Sequence, residues 1–350
     1  MDDIADTIED TASRQNRAKG KGRSRGGRGG RGGRGGGSSR QVDLSRALSK
    51  LLRHQAQHAG IKLDKEGFAP LDRVLQWGPL RSMAPTVTEI QSLVRDSDKQ
   101  RFALKPSDPN ASTSTITITS TSAPDDGSSS SSTDPADWLI RANQGHSIKL
   151  ESSDGLLRPI ALGPAADGPV AAEPLPPGAV PVPPTVVHGT YLAFWPAIVA
   201  AGGLRPMGRN HVHCSTGLPG DGRGGGHDGP AAAAVVSGMR RDAELLVYVD
   251  VERSIREAGM RWWVSDNGVV LTEGDDEGGV VPLRFFREVV GRPGTGPGAG
   301  VGVLWKDGVK VADLPPDVKG RVPRGKGGAG AGRGRGRGRG GGGGGGGRAE

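Results

Sequence analysis

RWWVSDNGVVLTEG, residues 261–274, decides the character of the second half of this chain. Two apolar runs flank Asp266, Asn267 and Gly268. Asn-Gly between such runs marks a β-hairpin, because both residues tolerate the left-handed backbone of a tight turn. The predicted strands are 261–265 and 268–274. HVHCS (211–215) and ELLVYVDV (244–251) read as two more strands, and YLAFWPAIVAAGG (191–203) as a helix ended by glycine. Residues 186–287 are thus expected to form an α+β lobe built largely on sheet.

Toward the N-terminus the period changes. In DLSRALSKLLRH (43–54), Leu44, Ala47, Leu48, Leu51 and Leu52 recur at helical spacing, with Asp43 placed as an N-cap. PLDRVLQW (70–77) and TEIQSLVRD (88–96) predict two further helices, and DKQRFALK (98–105) a turn into a strand. Three short helices followed by a strand suggest a small helical lobe with a β-wing.

Composition shortens the effective length. The chain has 350 residues, of which 61 are Gly and 26 Pro. GKGRSRGGRGGRGGRGGG (20–37) and residues 325–347 have too few apolar groups to form a core and are expected to be disordered. Arginines spaced by glycine make a flexible polycation suited to RNA phosphates and bases. Residues 107–137 (Ser/Thr-rich), 162–184 (Pro/Ala-rich) and 217–229 (Gly-rich) read as loops or insertions.

The net charge of +8 resides in the tails. Residues 13–40 hold 10 Lys and Arg without an acid, and 319–348 hold nine more, which leaves 27 basic against 32 acidic residues in 41–318. A nucleic-acid surface on the core must therefore be made from a few placed arginines. A single cysteine excludes an internal disulfide and fits a reducing compartment. No apolar run approaches the roughly 20 residues of a membrane span. The acidic start, MDDIADTIED, lacks a signal-peptide core, so a nuclear or cytoplasmic protein is expected, neither secreted nor membrane-bound.

Four polar clusters stand out: LLRH (51–54), IRANQGHSI (140–148), HGTY (188–191) and GRNHVHCS (208–215). Each has an ordinary alternative. Arg53 and His54 could close a helix in solvent. Residues Arg141 to His146 could be a polar turn around Gly145, and His188 could cap a helix at Tyr191. His211 and His213 share one face of a strand and could be satisfied core histidines. His211, His213 and Cys214 are also competent zinc ligands, but structural zinc sites usually take four ligands with more than one cysteine. Arginine forks match phosphate oxygens and stay charged at every working pH. Three arginines with several histidines therefore favour an anion over a metal.

In this order, LSKLLRHQAQHAGIKLDKEGFAPLDRVL, DKQRFAL, IRANQGHSIKL, HGTYLAFWPAIVAAGGLRPMGRNHVHCS and WWVSDNGVVLTEG resemble the NAD-dependent RNA (tRNA) 2′-phosphotransferase family, Tpt1/KptA. The resemblance covers most of 43–105, 138–150 and 186–287. It implies an α+β protein with an N-terminal winged-helix-like lobe followed by an ADP-ribosyltransferase-like lobe. The expected layout is an acidic then Arg/Gly-rich tail (1–40), the RNA-phosphate lobe (41–150), a Pro/Ala-rich linker (151–185), the NAD lobe (186–292) and a Gly-rich extension (293–350).

The implied reaction removes the internal 2′-phosphate of a ligated tRNA splice junction. The phosphate attacks the nicotinamide-bearing ribose carbon of NAD, and the ribose 2″-hydroxyl then attacks the phosphate, leaving ADP-ribose 1″,2″-cyclic phosphate. The family's catalytic set falls on Arg53, His54, Arg141 and Arg209. The first three would hold the phosphate, and Arg209 would stabilise developing charge. His188, Gly189 and Thr190 would hold NAD, with Asn210 and Ser215 as further candidates for the same pocket. No metal is expected. Where many ADP-ribosyltransferases place a glutamate, this chain has Val270, which spares an incoming phosphate short-range repulsion.

The implied partner is tRNA or another RNA bearing a 2′-phosphate, engaged by a monomer whose tails add RNA contacts. Two other readings stay open at this stage. One is an ADP-ribosyltransferase acting on nucleic-acid phosphate ends or on protein. The other is a non-enzymatic RNA-binding protein working through its Arg/Gly tails.

Overall fold

The structure is a computed structural model and describes residues 36–97, 99–108, 132–148, 155–163, 175–218, 237–294, 296–318 and 320. The bulk of both Arg/Gly-rich tails, of the 107–137 and 162–184 insertions and of the 217–229 loop lies outside the described residues. The fold is mixed α+β, organised around two main hydrophobic cores.

The first core draws on residues 44–148. Helix α1 (Gly36–Lys50) runs directly into a single π-helical turn, Leu51–Gln55. Leu44, Leu48, Leu51 and Leu52 are all buried, as their spacing predicts. Asp43 is not an N-cap: the helix begins seven residues earlier, and the Asp43 carboxylate accepts from Arg46 one turn on, at 3.1 Å. Strand β1 (Ala69–Pro70) precedes α2 (Leu71–Gln76), α3 (Gly78–Met83) and α4 (Val87–Arg95). The sequence reading contains no helix at 78–83, where a proline in the first turn starts one.

Thr86 caps α4 by accepting from the Glu89 amide at 3.1 Å, while the Glu89 carboxylate accepts from the Thr86 amide at 3.0 Å. That carboxylate also takes a 2.7 Å bond from Arg40, which ties α1 to α4. Strands β2 (Phe102–Pro106) and β3 (Trp138–Ala142) complete a three-stranded sheet in the order β1-β3-β2, with Ala103 opposite Arg141.

The second core is a meeting of two five-stranded sheets. One comprises, in chain order, β4 (Leu157–Ala161), β5 (Val180–Pro181), β8 (Val212–Cys214), β10 (Trp263–Ser265) and β11 (Val270–Thr272). Its spatial order is β5-β4-β10-β11-β8, and a separate ribbon pairs β7 (Gly203–Leu204) with β12 (Val281–Pro282). The other has the order β15-β14-β13-β9-β6, from β6 (Val187–Thr190), β9 (Leu245–Val249), β13 (Phe286–Gly291), β14 (Val303–Lys306) and β15 (Val309–Lys310). A bridge between Val187 and Ser215 joins the two sheets at β6 and β8. Residues of both, including Val212, Val264, Val247 and Val289, fill one core with Trp195 and Trp262.

Trp262 is fully buried, and its indole N–H donates to Ser254 at 2.9 Å. Ser254 lies on α6 (Val251–Ala258), which Asp250 caps by accepting from the Arg253 amide at 2.9 Å. The predicted hairpin forms, with Val264 opposite Val270. The predicted helix 191–203 divides: Leu192–Phe194 make a 3₁₀ turn, and the α-helix, α5, is only Trp195–Ala200, with Pro196 in its first turn. Residues 151–185, read as a linker, supply β4 and β5. The Pro-rich β5 occupies the sheet edge, where a missing N–H costs least. Residues 293–350, read as a featureless extension, supply β14 and β15, joined at Asp307-Gly308 with both residues at positive φ. Among the described residues no helix is long and apolar enough to cross a membrane.

Candidate active site

The residues singled out by sequence converge from both cores. Arg53 and His54 lie on the π-helical turn, Arg141 on β3, and Arg209 in the segment entering β8. A π-helical turn fits one extra residue per hydrogen-bonded ring, and such turns recur at functional sites. Here the Arg53 carbonyl accepts from the amides of Ser147 (3.1 Å) and Ile148 (3.4 Å), and Ser147 Oγ lies 2.8 Å from His54 Nδ1. The Arg53 side chain is buried, so it is not the solvated end of a helix.

The segment Asn143–Ile148 is the centre of this arrangement. The Asn143 amide donates to the Arg101 carbonyl at 2.9 Å, and its side-chain amide to the Gln100 carbonyl at 2.8 Å. Gly145 takes φ +88°, and a Cβ there would lie 3.4–3.5 Å from Nε, Cδ and Cζ of Arg53. The Arg53 guanidinium therefore lies beside this backbone, and the left-handed φ is what calls for glycine here. From the opposite side, the Asn210 amide donates to the His146 carbonyl (3.0 Å) and its side chain to the Ile148 carbonyl (2.9 Å). Asn210 thus staples the two cores together.

Arg141 is held on two edges and one face. Its Nη1 donates to the carbonyls of Glu66 and Gly155, both at 3.0 Å. Its guanidinium lies 4.6 Å from the centre of the Phe68 ring. Its Nη2 donates to the carboxylate of Asp266, in the turn between β10 and β11. Nε is buried and has no hydrogen-bond partner among the described residues.

Three histidines surround these cations. Burial, then the charges of Arg53, His54, His211 and Arg141, push the His146 pKa down to about 3. Burial, Arg209, His211 and Arg53 depress His213 well below the ordinary value, and burial lowers His211 against a weaker opposing pull from Glu273. The charges of Arg53 and Arg141 bear on His146, and those of Arg209 and Arg53 on His213, so the three arginines lie close to these buried rings. Nε2 of each ring is buried without a hydrogen-bond partner among the described residues. His213 Nδ1 faces the His211 carbonyl at 2.9 Å, and a carbonyl can only accept. The neutral ring therefore carries its proton on Nδ1, and Nε2 presents a lone pair.

The HGTY segment forms β6. The expected cap at Tyr191 is absent, since His188 Nδ1 donates to the His213 carbonyl at 2.8 Å. Gly189 is required by packing: a Cβ there would fall 2.5 Å from Met239 Cγ and 2.9 Å from Ala243 Cβ. Thr190 is buried. Ser215 is wholly buried, and its hydroxyl is directed at the carbonyls of Gly217 (2.9 Å) and Val187 (3.4 Å). Val270 is buried on β11 opposite Cys214, whose thiol pKa is pushed up to about 12 by burial. No group of three His, Cys, Asp or Glu among the described residues is placed to hold a metal ion.

Sequence reasoning missed Asp266, Phe68 and the carbonyls that fix Arg141. An Asp beside Asn-Gly is expected in a turn for local reasons, which masks a distant partner.

The chain belongs to the RNA 2′-phosphotransferase family, Tpt1/KptA, whose model matches residues 39–274. It is 35% identical over 251 residues to tRNA 2′-phosphotransferase 1 of Bos taurus, covering 72% of this chain and 76% of that protein. It is 32% identical to tRNA 2′-phosphotransferase 1 of Homo sapiens, with 72% and 76% covered. Against tRNA 2′-phosphotransferase of Saccharomyces cerevisiae it is 29% identical, with 72% and 84% covered.

Proposed function

We propose that this protein removes an internal 2′-phosphate from RNA, tRNA splice junctions being the substrate its relatives' names indicate, and transfers it to NAD. The products are nicotinamide, RNA with a free 2′-hydroxyl and ADP-ribose 1″,2″-cyclic phosphate. In this reading the first core is a winged-helix-like lobe for the RNA phosphate (41–150). The second is an ADP-ribosyltransferase-like lobe for NAD (186–292).

The observation that carries it is the gathering of Arg53, Arg141 and Arg209 around rings held neutral by burial. Such a site offers fixed positive charge at every working pH, together with ring nitrogens that a phosphate-bearing, polyhydroxylated ligand would satisfy. Arg53, His54 and Arg141 hold the RNA phosphate. Arg209 stands at the seam, where it offsets charge that develops as the phosphate moves. His188, Gly189 and Thr190 line the NAD side, and NAD supplies an electrophilic ribose carbon from which nicotinamide leaves. His213 Nε2, an acceptor, suits a ribose hydroxyl rather than a phosphate oxygen. Asn210 and Ser215, further candidates for the NAD pocket, also fasten the backbone from within.

The test is an incubation of purified protein with a short RNA bearing one internal 2′-phosphate, with and without NAD, beside Arg141→Ala. NAD-dependent loss of the phosphate with release of the cyclic phosphate, absent in the variant, is the expected result. NAD-dependent ADP-ribosylation of the RNA without phosphate removal would sink the two-step reading. No reaction at all would leave the RNA tails as the better clue.

A further inference from the structure

Arg141 has one edge left for a ligand, and a residue of the protein already takes one of its two nitrogens. Both Nη1 hydrogens go to backbone carbonyls, and Phe68 covers a face. The remaining edge is the fork made by Nε and Nη2, the pair a phosphate takes bidentately. Nε there is buried without a partner, while Nη2 is bonded to Asp266. The Arg141 side chain is 7% exposed and that of Asp266 is 42% exposed. The carboxylate can thus swing into water, whereas the guanidinium cannot leave.

We propose that Asp266 is a displaceable resident counterion of Arg141. It neutralises the fork when the site is empty and yields it to a phosphate monoester. This rests on the reading of Arg141 as a phosphate-binding residue. A carboxylate and a phosphate cannot share one fork without close repulsion, so binding is an exchange of anions. Weak anions fail to displace a carboxylate held by the protein at high local concentration, whereas a dianion bound by several arginines succeeds. Asp266 thereby sets a threshold that favours the doubly charged ligand.

The hairpin turn does not depend on this ion pair for its position. Asn267 donates to the Lys99 carbonyl at 2.9 Å, and the Ser265 hydroxyl donates to Asn267 Oδ1 at 2.7 Å. Asp266→Asn should therefore keep the turn docked while removing the competing charge.

The experiment measures binding of the full chain, without NAD, to one short RNA with and without an internal 2′-phosphate, by fluorescence anisotropy. Asp266→Asn and Asp266→Ser are compared with the wild type. The expected result is roughly three- to sixfold tighter binding of the phosphorylated RNA by both variants, the effect of one partly exposed competing ion pair, with unphosphorylated RNA unchanged. Inorganic phosphate should likewise raise the melting temperature of the variants more than that of the wild type. Unchanged or weaker binding of phosphorylated RNA by the variants overturns the proposal and makes Asp266 a fixed support of Arg141. Failure of both variants to fold overturns it too, because a group that leaves on binding cannot be essential to the fold. A wild type that binds the two RNAs equally would instead overturn the functional reading, and the inorganic phosphate comparison would still decide the counterion.

Discussion

Lowering the pH from 7 to 5 should destabilise this protein through His146, by an amount the structure fixes. The ring titrates near its ordinary value of 6.5 when unfolded, and burial beside Arg53 pushes it down to about 3 when folded. A histidine with a depressed folded pKa contributes stability that is present above the unfolded pKa and is lost as pH falls toward the folded one. At pH 5 the native ring is still neutral, so the loss is governed by the unfolded chain taking up a proton. Over about 1.5 pH units, at about 1.4 kcal/mol per unit, His146 accounts for about 2 kcal/mol. The figure hardly changes with the folded value so long as that stays below about 4. His211 and His213 are depressed as well and add in the same direction. The assay is urea unfolding at pH 7, 6 and 5 for the wild type and His146→Gln. The variant should be less stable at pH 7, with a pH dependence flatter by about 2 kcal/mol across the range. Parallel curves for the two proteins would refute the buried neutral ring.

Gly145→Ala should cost about 1–2 kcal/mol from the left-handed backbone alone, measured by urea unfolding, and should weaken binding of phosphorylated RNA because relief of that strain shifts the backbone beside the Arg53 guanidinium. Binding equal to wild type would show that Arg53 does not need this bed. Cys214, the only cysteine, is fully buried with its pKa pushed up to about 12. It should resist iodoacetamide at pH 8 in the native protein and react fully in urea; rapid native labelling would contradict its place in the core.

Patterns tied to local physics were readable in the sequence. The leucines of α1 and the hairpin at Asn267-Gly268 follow from period and turn chemistry, and both stand where expected. Pro181 ends an edge strand in a stretch that reads as a Pro/Ala-rich linker, and Pro79 lies in the first turn of a helix that the periodicity does not predict. The β14–β15 hairpin carried an Asp-Gly turn signal between LWK and VKV, but the surrounding glycines concealed it. At the site, residue types announced Arg53, Arg141 and Arg209. Nothing local could announce that Asp266 pairs with Arg141 or that Asn210 fastens Ile148, because those contacts span 125 and 62 residues. Long-range pairing is decided by how the two cores dock, and one chain's pattern does not encode it legibly.

The neutral histidines have a consequence for how the site senses acidity. Its buried imidazoles are uncharged over the physiological range, and its arginines never give up their protons. The charge supplied by the arginines and these buried rings is thus nearly constant from mildly acid to mildly alkaline solution. A phosphate monoester, by contrast, loses its second proton near pH 6. For a phosphate ligand, acidity would then act on the ionisation of what is bound rather than on this buried frame: the ligand is the titrant, and the arginine cluster the fixed electrode.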